Sequence, residues 1–293
     1  MKKIAYSIAF LTVLIVLRLE SIAQLTTLTA STVNRLDSIK SYSLIGMAYN
    51  SDIVFLGRKS PIKSPYFSVS AGYYHKSGLI INGIISYLAT SGAKRLDLFT
   101  VSGGYDYYKR NLTAGISATG YVFNNKSYTA KSALTGNLNV YADYDFDIVE
   151  VYLDGTAYFS NQSDFIFSAS VSHNFYTDNG NLKIRPAFSL YGGTQNYYSN
   201  YNNNLQFGRH MNNNGSPASI GMMGGGFFNV LNYEFSVPIT YGVKSFQITF
   251  LPVYAIPVNA ALITDNQTTY KEDLTNNFFW SLGVSYKISK QKK

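Results

Sequence analysis

The sequence predicts an all-β fold, a single antiparallel transmembrane β-barrel of about twelve strands, and three observations support it. The 293 residues include 26 Tyr, 19 Phe and 23 Gly, a composition typical of strands and turns. Twelve segments alternate apolar with small or polar residues. The connections between these segments are short at one end of the predicted barrel and long at the other.

The twelve segments are predicted to be strands because apolar residues recur at every second position, the period of a strand with one wet face. Within one of them, Phe165, Phe167 and Val171 alternate with serines, so we expect these apolar side chains to face lipid and the serines to face the interior. The predicted strands cover residues 42–50, 67–76, 79–89, 95–108, 112–124, 133–144, 148–159, 164–176, 182–193, 231–242, 246–256 and 278–288.

Connection lengths separate a membrane barrel from a soluble β-sandwich, which has no reason to sort its loops by end. The predicted strands also have about the 9 to 11 residues that a tilted spanning strand needs, whereas sandwich strands are usually nearer five or six. The short turns are predicted at 76–78, 109–111, 145–147, 177–181 and 243–245, and the long loops at 51–66, 125–132, 194–230 and 257–277.

The first 23 residues are typical of a signal peptide, with Lys2 and Lys3 before an apolar run and small residues up to Ala23. The apolar run is shorter than the roughly 20 residues of a spanning helix. We therefore expect cleavage after Ala23, a short periplasmic segment over 24–41, and one barrel domain over 42–293. The chain has no Cys, so neither disulfides nor a lipid anchor on cysteine are expected.

Composition and motifs exclude several functions. Removing the signal peptide lowers the formal charge from +8 to +6, and the basic residues form no patch interleaved with aromatics, so we expect no nucleic-acid partner. The sequence contains no HExxH, CxxC, P-loop or GxGxxG unit. We therefore expect no cofactor, no metal site and no catalytic residues.

The last predicted strand, "FWSLGVSYKI", resembles the C-terminal signal by which outer-membrane barrels are recognised for assembly. The stretches "NSDIVFLGR", "PYFSVSAGYYHKSGL" and "NYEFSVPITYGVKSFQITFLPVYAIPVN" look like uncharacterised outer-membrane barrels of Bacteroidota-type bacteria. The resemblance covers most of residues 42–288. It implies a Gram-negative outer membrane, with lipid, lipopolysaccharide and the barrel-assembly machinery as partners, and no defined activity.

Charged residues on the polar phase of the strands are the candidate lining of the interior. Their mixed charges fit a passive, porin-like channel for small solutes, and they fit equally a plugged interior in which acids and bases pair to satisfy buried charge. Both alternatives remain open, as does a purely structural membrane scaffold. The candidate lining residues are Glu150, Asp154, Lys183, Arg185 and Glu234.

The loop "SDIVFLGRKSPIKSP" is apolar in its first half and basic in its second. It could fold inward as a constriction with Arg58 or Lys59 toward the lumen. Alternatively, residues 52–56 could prolong the first strand above the membrane, which is the arrangement we expect.

Two further functions compete with the channel. An enzyme that modifies lipid in the outer leaflet would need a loop-borne base, for which His210 is the candidate, whereas Ser172 and His173 are adjacent on a strand and point to opposite faces. A secreted β-sandwich adhesin is the other alternative.

Overall fold

The computed structural model describes residues 40–59, 62–127, 129–197, 220–223, 225–265 and 268–289. The predicted signal peptide and nearly all of the predicted periplasmic segment lie outside these residues. Twelve antiparallel strands form one closed ring, which confirms the predicted fold. They are β1 (Tyr42–Asn50), β2 (Tyr66–Tyr74), β3 (Leu79–Thr90), β4 (Ala93–Lys109), β5 (Leu112–Phe123), β6 (Gly136–Asp145), β7 (Glu150–Phe159), β8 (Asp164–Ser172 and Phe175–Tyr176), β9 (Leu182–Ile184 and Ala187–Gly193), β10 (Asn229–Ser236 and Ile239–Val243), β11 (Phe246–Pro257) and β12 (Asn277–Ser289).

The ring closes between the first and last strands. Tyr42 pairs with Ser289 and Asn50 with Ser281, so β1 and β12 are in register over the whole length of β1. Each other strand pairs with its neighbours in chain order. The closed ring contradicts the alternative of an open β-sandwich, because a closed ring leaves neither edge strand unpaired.

Strands β8, β9 and β10 are each interrupted by a break of two residues. The breaks in β9 and β10 each contain a proline, and the break in β8 is hydrogen-bonded to the proline of β9. Pro186 interrupts β9 and Pro238 interrupts β10, because proline cannot donate to the ladder. The chain still bonds across the breaks, since Arg185 N donates to Pro238 O at 2.9 Å and His173 N donates to Pro186 O at 3.2 Å. The ring therefore stays closed across the breaks.

The two ends of the barrel differ, as predicted. At one end, which we call the turn end, the connections are short and span 75–78, 110–111, 146–149, 177–181 and 244–245. Gly78, in the first of these turns, has φ +98°, and a Cβ there would lie 2.1 Å from Asp106 O, so only glycine fits. The opposite end, which we call the loop end, carries the connections 51–65, 124–135, 194–228 and 258–276 and two tight turns.

The outer surface of the strands is apolar. Phe165, Phe167 and Val171 are 61%, 47% and 45% exposed, whereas the alternating Ser168 is 4% exposed. The other strands follow the same alternation, with outward Ile, Val, Leu, Phe and Tyr side chains around the ring. So large an exposed apolar surface is typical of a protein whose surroundings are lipid. Among the described residues, no helix is both long and apolar enough to cross a membrane.

β-bulges break the alternation in β4 and in β10, and the one in β10 is at Leu231. Leu231 is in phase with Tyr233 and Phe235, so strict alternation would place it outward, but it is fully buried in the interior. The register shifts here, because Tyr191 pairs with Asn232 and Gly192 pairs with Val230. Leu231 is therefore the extra residue of a β-bulge, and the bulge turns its side chain inward.

Candidate functional site

The first long connection folds into the barrel, contrary to the expected prolongation of the first strand. β1 ends at Asn50, and the chain then turns inward as a small hairpin in which Val54–Phe55 pairs with Arg58–Lys59. Val54 and Phe55 are each 1% exposed. Burial of this apolar run is favourable at about 25 cal/mol per Å² of apolar surface, which an extended strand above the membrane would not gain. We call the buried residues 51–58 the plug.

The tip of the plug touches the barrel wall. Gly57 has φ +77°, and a Cβ there would lie 2.5 Å from Asn232 Oδ1, so glycine permits both the turn and the close approach. Asn277 Nδ2 donates to Gly57 O at 2.7 Å. The Phe55 ring packs edge-on against Tyr158 and Tyr197, with centroids 5.7 and 4.9 Å away.

Arg58 joins the plug to another loop. Its guanidinium forms a two-pronged ion pair with Glu272, with Nε 2.9 Å from Oε1 and Nη2 3.1 Å from Oε2. The side chains are 4% and 8% exposed, and Nη2 also donates to Asn259 O at 3.2 Å. Lys59, the other predicted constriction residue, is exposed. The two neighbouring cations thus differ, since Arg58 is a buried cross-link and Lys59 lies in solvent.

Two more loops close over the plug. Asp164 accepts hydrogen bonds from Thr194 Oγ1, Asn196 N and Tyr197 N at 2.6 to 2.7 Å, which brings Tyr197 onto Phe55. From the loop before β6, Lys131 Nζ lies 4.6 Å from the ring centroid of Tyr121 and 5.5 Å from that of Phe55. Cation–π attraction between desolvated groups contributes about 2 kcal/mol. The loop end is therefore filled by an apolar and aromatic layer.

The predicted lining residues all project inward, and most lie below this layer. Glu150 and Arg185 form an ion pair, Oε1 to Nη1 3.3 Å, with both side chains buried. Lys183 Nζ lies 5.7 Å from the Tyr176 ring centroid. Asp154 is in a separate network, in which it accepts from Ser168 Oγ at 2.7 Å and from Asn139 Nδ2. Glu234 accepts from Asn232 Nδ2 at 2.7 Å, next to the tip of the plug.

Sequence reasoning missed further inward carboxylates on β4 and β6. Asp106 accepts hydrogen bonds from Tyr141 Oη at 2.6 Å and from Tyr108 Oη at 2.9 Å. Asp143 is fully buried nearby on β6, and Lys287 on β12 lies over the Tyr42 ring at 4.5 Å. The signal was present in the sequence, because each of these charges occupies the polar phase of its strand, close to tyrosines.

Gly115 makes room for Asp106 and Tyr141. A Cβ at residue 115 would lie 2.4 Å from Tyr141 Cε1 and 2.6 Å from Asp106 Oδ1. We expect Gly115→Ala to lower the free energy of unfolding by about 1–3 kcal/mol through overpacking. Gly120→Ala is the matched control on the same strand, since nothing lies within 4 Å of its Cβ position. Heat-modifiable gel migration measures both, and equal melting of the two variants would contradict the close packing.

The described histidines do not form a catalytic arrangement. His75 Nδ1 is 2.7 Å from Ser77 Oγ, but the same nitrogen is 3.3 Å from Ser77 N, as in a local turn. His173 Nδ1 contacts Ile148 O at 2.5 Å, and its ring packs on Phe175. No group of three His, Cys, Asp or Glu in the described part of the chain could hold a metal ion. His210 lies outside the described residues.

Comparison with known proteins gives similarity at the level of the fold. No protein-family model matches the sequence, and no curated protein matches it. Solved structures of similar fold include the KdgM porin, with TM-score 0.46 and 9% identity over 83% of this chain and 98% of that one. The NanC porin gives 0.45 and 10% over 84% and 98%, and LpxR from Salmonella typhimurium gives 0.45 and 12% over 83% and 99%. The resemblance to Bacteroidota-type barrels stays a prediction.

Proposed function

We propose that this chain is an outer-membrane channel for small solutes whose resting state is closed by its own plug. A channel needs an apolar exterior and a polar interior, and the strands supply both through their alternation. The loop end of the interior supports a closed resting state, because it is filled by apolar side chains, whereas the turn end is lined by charges. A structural scaffold would not need a charged interior.

The proposed setting is the Gram-negative outer membrane after removal of residues 1–23. Barrels of this type have short turns on the periplasmic side and longer loops outside, so the turn end is periplasmic and the plug extracellular. Lipid and lipopolysaccharide would contact the outward apolar side chains. The barrel-assembly machinery would act during biogenesis on the β12 segment.

The single observation that carries the proposal is the Arg58–Glu272 ion pair. Removing two charges from water is costly unless they pair with each other, so a buried ion pair that joins the plug to a distant loop favours the closed arrangement in which both partners meet. Because the plug is a loop and not a spanning strand, it can leave the barrel without breaking a barrel hydrogen-bond ladder. The channel could therefore open without disrupting the barrel.

The test is current through planar bilayers. We expect the mature chain, residues 24–293, to carry no current. In a plug-less variant, residues 52–58 are replaced by a Gly/Ser chain of equal length and Glu272 by Gln. We expect this variant to give stable open steps. The matched control replaces the exposed Lys59 and Lys63 of the same loop by serine and should stay silent. Heat-modifiable migration establishes that each barrel is folded. Steady current from the unmodified chain would refute the closure, and silence of the folded plug-less variant would refute the channel.

A further inference from the structure

The interior below the plug is predominantly acidic, and the charges are separated by strand. Inward carboxylates outnumber inward cations there among the described residues. The carboxylates lie on β4, β6, β7 and β10, whereas the cations lie on β9 and β12. The carboxylates are Asp106, Asp143, Asp145, Glu150, Asp154 and Glu234, and the cations are Lys183, Arg185 and Lys287.

The excess of carboxylates does not depend on how the charges pair. An ion pair such as Arg185–Glu150 removes one charge from each group, so six carboxylates and three cations still leave a negative balance. The contacts of Lys183 and Lys287 with tyrosine rings, and of Asp106 with the hydroxyls of Tyr141 and Tyr108, cancel no charge. The formal charge of this part of the interior is therefore negative.

One buried oxygen in this region lacks a hydrogen-bond donor. Asn139 is 2% exposed, and its Nδ2 donates to Thr156 Oγ1 at 2.7 Å and to Asp154 Oδ2, which fixes the orientation of the amide. Asn139 Oδ1 has no hydrogen-bond partner among the described residues. An amide oxygen can only accept, so it calls for a donor or a cation.

Solvent reaches the part of the interior that β4 and β5 line. Ser102 and Asp106 of β4 and Ser117 and Thr119 of β5 face inward and remain partly exposed. One residue pair further toward the loop end, Thr100 and Tyr121 are buried. We call the accessible part the vestibule, and its inner limit is the aromatic layer beneath the plug.

We propose that the vestibule selects cations, so that the solutes admitted by the open channel are small cations rather than anions. This rests on the proposed function and specifies its solute class. A negative potential attracts cations to the periplasmic entrance and repels anions from it. Selection would come from the field of the whole lining, since no described cluster is suited to hold a metal ion.

Reversal potentials of the plug-less variant in a tenfold KCl gradient test the proposal. We expect a cation preference, which Asp106→Asn and Asp143→Asn each lower on the order of twofold and Lys287→Gln raises. Asp147→Asn is the matched control, because Asp147 is exposed in a turn at the same end and has positive φ, which asparagine tolerates.

The outcomes separate the two proposals. Anion preference, or a ratio insensitive to Asp106 and Lys287 alike, overturns the cation selection while leaving a conducting channel. Silence of the folded plug-less barrel overturns the channel itself. If Asp143→Asn does not fold, Asp106→Asn and Lys287→Gln still test the proposal. Shifts of the reversal potential in opposite directions support it, and the absence of such shifts refutes it.

Discussion

Arg58→Ala is expected to let a closed barrel conduct. The substitution leaves the Glu272 carboxylate buried without its guanidinium, with only the Ala261 N–H, at 3.0 Å, still donating to it among its recorded partners. Removing one partner of a buried ion pair costs about 3–5 kcal/mol, and the cost falls on the plugged conformation, because the Glu272 side chain is only 8% exposed there. Intermittent openings in planar bilayers and faster proteolysis within 258–276 are the expected measurements.

Lys59→Ala separates this effect from a general change in loop charge. It removes the same charge one residue away, but from an exposed side chain, so neither current nor proteolysis should change. Adding Glu272→Gln to Arg58→Ala should restore part of the closure, because the buried charge is then gone. An Arg58→Ala barrel as silent and as protease-resistant as the Lys59→Ala barrel would show that the ion pair does not hold the plug.

The barrel could be predicted because every strand must, independently of the others, place apolar side chains toward lipid and polar side chains toward the interior. A strand such as β8 must place Phe165 and Phe167 on one face and Ser168 on the other wherever it lies in the ring, so the period-2 signal is local. The bulge at Leu231 shows the limit of this reasoning. An extra residue changes the phase within a strand, and its neighbours Asn232 and Val230 give no local sign of it.

The plug could not be predicted for a different reason. The run from Ile53 to Leu56 is apolar whether it continues a strand or fills the barrel, so local sequence does not decide between them. The partners that decide it, Glu272 and Tyr197, are far along the chain from Arg58 and Phe55, so local sequence does not indicate the contacts. The same holds for the lining, because the sequence indicates that Glu150 and Arg185 face inward but not that they pair.

Arg185→Met is expected to destabilise the barrel itself and not its gate. Glu150 is 2% exposed, and without Arg185 its remaining recorded side-chain donor is Asn174 Nδ2 at 2.9 Å. We expect the free energy of unfolding in detergent to fall by about 3–5 kcal/mol, measured by urea titration of the heat-modifiable form. Glu150→Gln combined with Arg185→Met should recover most of this loss, because the uncompensated charge is removed. An unchanged midpoint for Arg185→Met would mean that water already solvates Glu150, and the ion pair would then lie in an aqueous path that continues from the vestibule.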